Sequence, residues 1–274
     1  MRKLWYMGLE PYKARYTLQL QEWNRAVFEK RGIDYEIVPG ETLGNDQAIV
    51  TGQVLDAHGR TYFGMSQMMN LVKSMKAGEV TSEDVVLFED MFQPGIESLP
   101  YIMQQCDPAM RPKIAVRCLA QTIDPDDFVH VWGMQKWMGL YEKMVDSFAD
   151  IVLASNEEMA MHMKVAGWEN KNIYNISGLA FGKEEVRGRV PGDLKPFDQR
   201  AHRVGFAARW DQEKQPDFYM DLIELYNAKK AENGWPDVEF AIYSGATLRS
   251  NNDSYMQRTR DLQQRVLLTV HEDL

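Results

Sequence analysis

The sequence predicts an α/β protein of two parallel-sheet units, the second incomplete with about three strands. Three observations predict this. Short apolar runs alternate with stretches of helical periodicity along most of the chain. A segment rich in Gly, Pro and charge interrupts the alternation once, and the alternation then restarts. Strands separated by helices imply right-handed crossovers and a mainly parallel sheet.

Lys3 to Met7 is the first strand and ends at Gly8. Tyr16, Leu20, Trp23 and Val27 then recur at helical spacing, and Gly32 stops that helix. Tyr35 to Val38 is the next strand, and residues 44 to 62 show little periodicity. Met65, Met68, Met69, Val72 and Met75 mark a helix, and Asp84 to Phe88 a strand running into Glu89 and Asp90. Ile96, Leu99 and Met103 give a helix, and Lys113 to Leu119 a strand. Trp137, Leu140, Tyr141, Met144, Val145 and Phe148 form a broad apolar helix face. Asp150 to Ala154 is a strand, followed by a helix whose expected N-cap is Ser155 with Glu158 as capping-box partner. Ile173 to Ile176 is the last strand of the first unit. After the break come strand Arg203 to Ala208, a helix through Phe218 and Tyr226, strand Val238 to Tyr243, helix Tyr255 to Gln264 and strand Val266 to Val270. The expected division is 1–181, a linker at 182–202, and 203–274. A unit of three strands and two helices is half of a doubly wound domain. The sequence therefore leads us to expect either a polypeptide that continues beyond Leu274 or a neighbour, such as an oligomer partner, that shields the sheet.

Composition narrows the class. The chain has 274 residues, 45% hydrophobic and 26% charged, which excludes collagen-like and disordered proteins. No window reaches the ~18 to 20 apolar residues of a membrane span. The N-terminal apolar run is too short for a signal peptide. Cys106 and Cys118 cannot build a disulfide framework, so a reducing, cytoplasmic setting is expected. The net charge of -9 disfavours non-specific nucleic-acid binding. Five histidines without H-x3-H or C-x2-C spacing argue against zinc. The methionines read as core filler.

Ligands of open α/β sheets bind at the carboxyl ends of strands. One such end is Gly205-Phe-Ala-Ala-Arg209-Trp-Asp211-Gln-Glu213-Lys214-Gln-Pro216. Arg209 and Lys214 flank a turn that leads into a helix beginning at Pro216, and a helix N-terminus attracts anions. The pair makes a diphosphate clamp. The same two residues also read as surface cations paired with Asp211, Glu213 and Asp217. A second end carries Asp124-Pro125-Asp126-Asp127. Its carboxylates suit proton transfer or sugar hydrogen bonding, and they equally suit capping of a helix that starts at Pro125. A third is the Gly8-Leu9-Glu10-Pro11 loop, and a fourth is Glu89-Asp90, whose acidic pair suits sugar hydroxyls. His130, Trp132 and Trp137 fit a cleft or ordinary packing. There is no G-x-G-x-x-G, Walker A or G-x-S-x-G.

The turn Arg209-Trp-Asp211-Gln-Glu213-Lys214, after a strand and before a helix, resembles the donor half of GT-B glycosyltransferases, most closely the retaining, glycosyltransferase family 4-like group. Tyr243-Ser244-Gly245-Ala246 resembles the small-residue loop of that half, and Arg265 to Leu268 its third strand. Gly8 to Pro11 and Tyr16 to Trp23 resemble phage and marine-virus glycosyltransferases. The resemblance implies two Rossmann-like units of GT-B type, with an acceptor-side first unit and a donor-side second unit. It implies a hexosyltransferase-like enzyme moving a sugar from a nucleoside diphosphate sugar to a hydroxyl, with retention, no metal and no other cofactor. Donor contacts would come from Arg209, Lys214, Ser244 and Gly245. Catalytic carboxylates would be Asp124 and Asp127, and the acceptor would meet Gly8, Glu10 and Asp90. The acceptor would be a glycan, a small molecule or modified nucleic acid. The family's E-x7-E element, which holds the donor ribose, has no counterpart before Leu274, so a truncated, inactive chain is expected. The alternative is a non-catalytic two-lobed sugar- or nucleotide-binding remnant. An NAD-dependent epimerase is disfavoured by the missing glycine fingerprint.

Overall fold

The computed structural model describes residues 2–11, 16–43, 57–119, 122–125, 127–176, 187–188, 192, 195–245, 247–250 and 252–272. The described residues of 3–43 and 57–176 belong to one compact unit and those of 203–271 to another. Of the expected linker 182–202, residues 182–186, 189–191 and 193–194 lie outside the described residues.

The first unit is a six-stranded parallel sheet of order β2-β1-β3-β4-β5-β6. Its strands are β1 (Leu4–Met7), β2 (Tyr35–Ile37), β3 (Val85–Phe88), β4 (Lys113–Cys118), β5 (Ile151–Ala154) and β6 (Ile173–Asn175). Its helices are α1 (Tyr16–Lys30), α2 (Ala57–Ala77), α3 (Leu99–Gln105), α4 (Phe128–Val131), α5 (Gln135–Phe148) and α6 (Glu157–Val165). The strands are short apolar runs because both sheet faces are covered. Trp5, Met7, Val86, Phe88, Ile114, Val116 and Val152 form one face. Met68, Leu71 and Met75 of α2, Leu99 of α3, Val145 of α5 and Met163 of α6 pack on it. On the other face, Tyr6 meets Phe28 of α1 edge-on at 5.6 Å.

Periodicity located the helices better than their buried faces. In α1 the buried residues are Thr17, Leu20 and Phe28, and Tyr16 is exposed. Met65 and Met69 of α2 and Trp137 and Leu140 of α5 also point to solvent. A methionine or tryptophan satisfies the apolar pattern wherever it stands; only the position of the sheet decides which ones are covered. The cap of α6 is Asn156, whose side chain accepts from the Met159 N–H at 2.7 Å. Ser155 instead donates to the Cys118 carbonyl at 3.4 Å. Asn156 takes the cap because it stands one residue nearer the helix and reaches the third-residue N–H.

The second unit is a three-stranded parallel sheet of order β7-β8-β9, with β7 (Arg203–Phe206), β8 (Glu239–Tyr243) and β9 (Thr269–His271). Its helices are α7 (Pro216–Asn233) and α8 (Asp253–Gln264). Trp210, Tyr219, Met220, Ile223, Phe240, Ile242, Leu248, Tyr255, Leu262 and Leu268 form its core. β9 begins three residues later than the apolar run suggests. Val266 adopts φ 58° in the turn that ends α8, where its N–H donates to Gln263 and that of Leu267 to Leu262. That left-handed closure, unusual for a β-branched residue, turns the chain before the strand can start.

Candidate functional site

In the first sheet the chain runs from β1 outward to β2 and returns to β3 on the other side of β1. The topological switch point therefore lies at the carboxyl ends of β1 and β3, the place where open α/β sheets bind ligands. Gly8 to Glu10 leave β1 there, and Glu89 and Asp90 leave β3. The structure fills this point with a buried ion cluster. Arg60 of α2 reaches Glu10 Oε2 through Nη1 at 3.0 Å and Asp90 Oδ2 through Nη2 at 2.5 Å. Asp90 also accepts the Phe92 N–H at 3.0 Å. Burial works against the Arg60 charge, but Asp90 and Glu10 hold its proton more firmly than usual. Glu10 is only 2% exposed, so it serves Arg60 rather than an open cleft.

Beside this cluster lies a second one. Arg117 of β4 donates to Glu89 Oε1 at 2.5 Å, while Tyr6 and Asn24 donate to Oε2 at 3.0 and 3.1 Å. Burial pushes the Glu89 carboxyl up, and Arg117 opposes it. The close approach expected of Gly8 is to the protein itself: a Cβ there would stand 2.9 Å from the Tyr6 ring. A cavity of about 200 Å³ adjoins Gly8, lined also by Pro11, Val38, Gly40, Phe63 and Gln67.

The β4 end carries the two predicted catalytic carboxylates. Asp127 caps α4, its Oδ1 accepting the Val129 N–H at 2.9 Å, and its own N–H donates to the Asp124 carbonyl at 3.2 Å. The helix thus starts at Phe128, later than Pro125. Asp126 lies outside the described residues. His130 is exposed, on the surface rather than in a cleft. The loop is anchored by Glu142 of α5, whose oxygens accept the Thr122 N–H and Oγ1–H, each at 2.7 Å. Burial raises the Glu142 carboxyl above the usual range, the Thr122 bonds oppose this, and Asp127 adds to it. A raised carboxyl stabilises the fold most below its unfolded value of about 4.3, and that contribution fades as pH rises through the folded value. Glu142→Gln is therefore expected to gain stability relative to the native chain between pH 5 and pH 7.5. Urea midpoints at the two pH values test this, and a midpoint of the variant that falls relative to the native one as pH rises contradicts it.

The second unit places the basic turn between β7 and α7. Trp210 is fully buried and donates from Nε1 to Thr259 Oγ1 at 3.0 Å, which fastens the turn to α8. Arg209 remains 32% exposed, with Nη1 3.5 Å from Asp211 Oδ2. Gln212–Lys214 form a single 3-10 turn that leaves Lys214 exposed. Gln215 then takes a left-handed conformation at φ 52° and Pro216 opens α7, with no side chain among the described residues capping its N-terminus. Asp217 turns away to Arg258 at 3.7 Å. Gly205 is required where the Tyr243 ring lies over β7, because a Cβ at that position would stand 2.9 Å from the ring. The same ring stacks on His271 at 4.9 Å. Ser244 and exposed Gly245 leave β8, and their loop is tied to the β9 end by the Leu248 N–H donating to Glu272 at 2.8 Å.

Sequence reasoning missed Arg60, Arg117, Asn24, Glu142 and Trp210. Arg60 carried a usable signal, because Arg60, Gly64, Gln67 and Leu71 share one helical face and all are buried. Among the described residues, no helix is long and apolar enough to cross a membrane.

The two units define the class: an α/β protein of two Rossmann-like units, GT-B in type, the second with three strands. No family profile and no curated protein matches the chain. Among solved structures it is similar to the Anabaena protein Alr3699/HepE in complex with UDP, with TM-score 0.50 and 12% identity over 100% of this chain and 70% of the other. It is likewise similar to a Listeria monocytogenes protein assigned as a UDP-N-acetylglucosamine 2-epimerase, with TM-score 0.51 and 11% identity over 100% of this chain and 69% of the other. Identity this low describes a shared fold.

Proposed function

We propose that this chain binds a nucleoside diphosphate sugar at the β7–α7 turn and transfers the sugar, with retention, to a hydroxyl acceptor. The observation that carries this reading is the turn itself: Arg209 and Lys214 lie in the turn that leads into the N-terminus of an 18-residue helix that no described side chain caps. Free N–H groups, the helix dipole and two cations all favour a diphosphate. The fold shared with a protein bound to UDP supports the same ligand class. Charge grows on the diphosphate as the sugar departs, and preorganised cations lower that barrier. The reading assigns this work to side chains and backbone, without a metal. Ser244 and Gly245 complete the donor side. Asp124 and Asp127 are the carboxylates assigned to the sugar or to the acceptor proton, and Gly8 stands at the acceptor side. Glu10 and Asp90 hold Arg60 and are assigned no ligand.

Titration calorimetry with UDP tests the binding step. Arg209→Ala and Lys214→Ala are each expected to weaken UDP about tenfold or more, the loss of a charge-assisted hydrogen bond. Equal affinity in all three proteins would falsify the clamp. Product analysis with UDP-glucose and a glycan acceptor separates transfer from the second reading, epimerisation, which the fold shared with the Listeria protein favours. UDP binding without turnover of any sugar identifies a non-catalytic binding protein instead.

A further inference from the structure

The cavity beside the switch point has a lining whose chemistry the proposed function leaves unused. It lies where the chain leaves β1 at Gly8 and β2 at Val38, with Gln21 of α1 and Phe63 and Gln67 of α2 as further walls. Most of the wall is apolar, from Pro11, Ile37, Val38, Pro39 and Phe63, and among the described residues no charged side chain lines it. Phe63 is 5% exposed, and the Gly40 backbone crosses its ring so closely that a Cβ there would stand 2.7 Å away. Gln67 is spent inside: its Nε2 donates to the Val38 carbonyl at 2.9 Å, and its Oε1 accepts from Gln93 at 2.8 Å. The charges nearby are spent likewise, Arg60 on Glu10 and Asp90, and Arg117 on Glu89. Among the described residues this leaves half-buried Gln21 as the side-chain amide that the lining can turn to a ligand.

We infer that this cavity takes an uncharged aromatic hydroxyl compound, a phenol, as the acceptor. The inference rests on the reading that the chain transfers a sugar, and it names the acceptor class. Apolar walls with a few placed polar groups are the usual make-up of a small-molecule pocket. A charged ligand loses its hydration here and finds no counter-charge. A sugar ring carries hydroxyls on most of its carbons, and each one buried without a partner costs about 1–3 kcal/mol. A phenol has a single hydroxyl, which can donate to the Gln21 amide oxygen, and a flat ring that suits the prolines and Phe63. Size agrees. A dry cavity of roughly 150 Å³ holds benzene, and this one measures about 200 Å³. In the transfer the phenol oxygen bonds the anomeric carbon as the bond to the diphosphate breaks. UDP leaves with the electron pair, and the phenolic proton goes to the carboxylate assigned to it above.

The experiment titrates the full chain with 4-fluorophenol at pH 7, where a phenol is uncharged, and follows the fluorine NMR line. The native chain is expected to shift and broaden that line. Gln21→Trp puts bulk into the cavity and is expected to abolish the effect. Gln21→Ala keeps the space and is expected to weaken binding about twofold to tenfold, the net worth of one hydrogen bond. Circular dichroism reports whether each variant folds, and should Gln21→Trp not fold, Gln21→Ala decides alone. Methyl glucoside is expected not to displace the phenol. With UDP-glucose added, the expected product is 4-fluorophenyl glucoside. Displacement by methyl glucoside, or a folded variant that binds the phenol as tightly as the native chain, overturns the inference. A native chain that binds UDP but not 4-fluorophenol overturns it too, and leaves the donor reading standing. Binding of the phenol without UDP binding, or without the aryl glucoside product, overturns the acceptor role and leaves a phenol-binding cavity.

Discussion

Replacing Arg60 with Ala is expected to destabilise the first unit by about 3–5 kcal/mol, the penalty for breaking a buried ion pair from one side. The guanidinium neutralises Glu10 and Asp90 at 3.0 and 2.5 Å and donates to the Phe92 carbonyl at 3.4 Å. Without it, two carboxylates face each other at the switch point in a poorly hydrated setting. Domains have only about 5–15 kcal/mol in total, so this loss approaches unfolding. Urea denaturation measures it directly. The triple variant Arg60→Met, Glu10→Gln, Asp90→Asn is expected to recover most of the loss, because no charge is then stranded. An Arg60→Ala protein within about 1 kcal/mol of native would place the cluster among ordinary surface pairs and refute its proposed weight.

Trp210→Ala is expected to cost the second unit about 3–5 kcal/mol, as large-to-small changes of buried aromatics do. The indole packs edge-on against Phe206 at 4.9 Å and against Tyr219 at 6.3 Å, and it bonds Thr259. Its removal opens a hole in a core resting on three short strands. Thr259 keeps its own bond to the Tyr255 carbonyl, so the cost is packing rather than a stranded hydroxyl. Trp210→Phe, which fills much of the space and loses the single hydrogen bond, is expected to cost less. Hydrogen exchange resolved by segment checks the location: protection is expected to fall across residues 203–271 and to persist across 3–43 and 57–176. Unchanged protection in the second unit would show that Trp210 is not its keystone. The Arg209 side chain sits one residue from this anchor, so UDP affinity is expected to fall with the same substitution.

The two predictions also mark how far the sequence carried. Both sheets, their parallel sense and the helix between each pair of strands were legible, because alternation of apolar runs with helical periods forces crossovers of one hand. The basic turn was legible because Arg209, Lys214 and Pro216 sit within eight residues of one chain segment. Arg60 was hidden by distance. It stands 50 residues from Glu10 and 30 from Asp90, and only the return of the chain from β2 to β3 makes them neighbours. Asp211 looked like one more surface acid until the burial of Trp210 drew it inward.

Taken alone, the order of residues determined the α/β class, the strand and helix inventory and the cationic turn, because each depends on local spacing and on the pattern of apolar side chains. Only the tertiary structure decided which acids are spent on internal arginines. Burial and charge pairing are properties of position in space, and residues far apart in the chain share them once the sheet has placed their strand ends side by side.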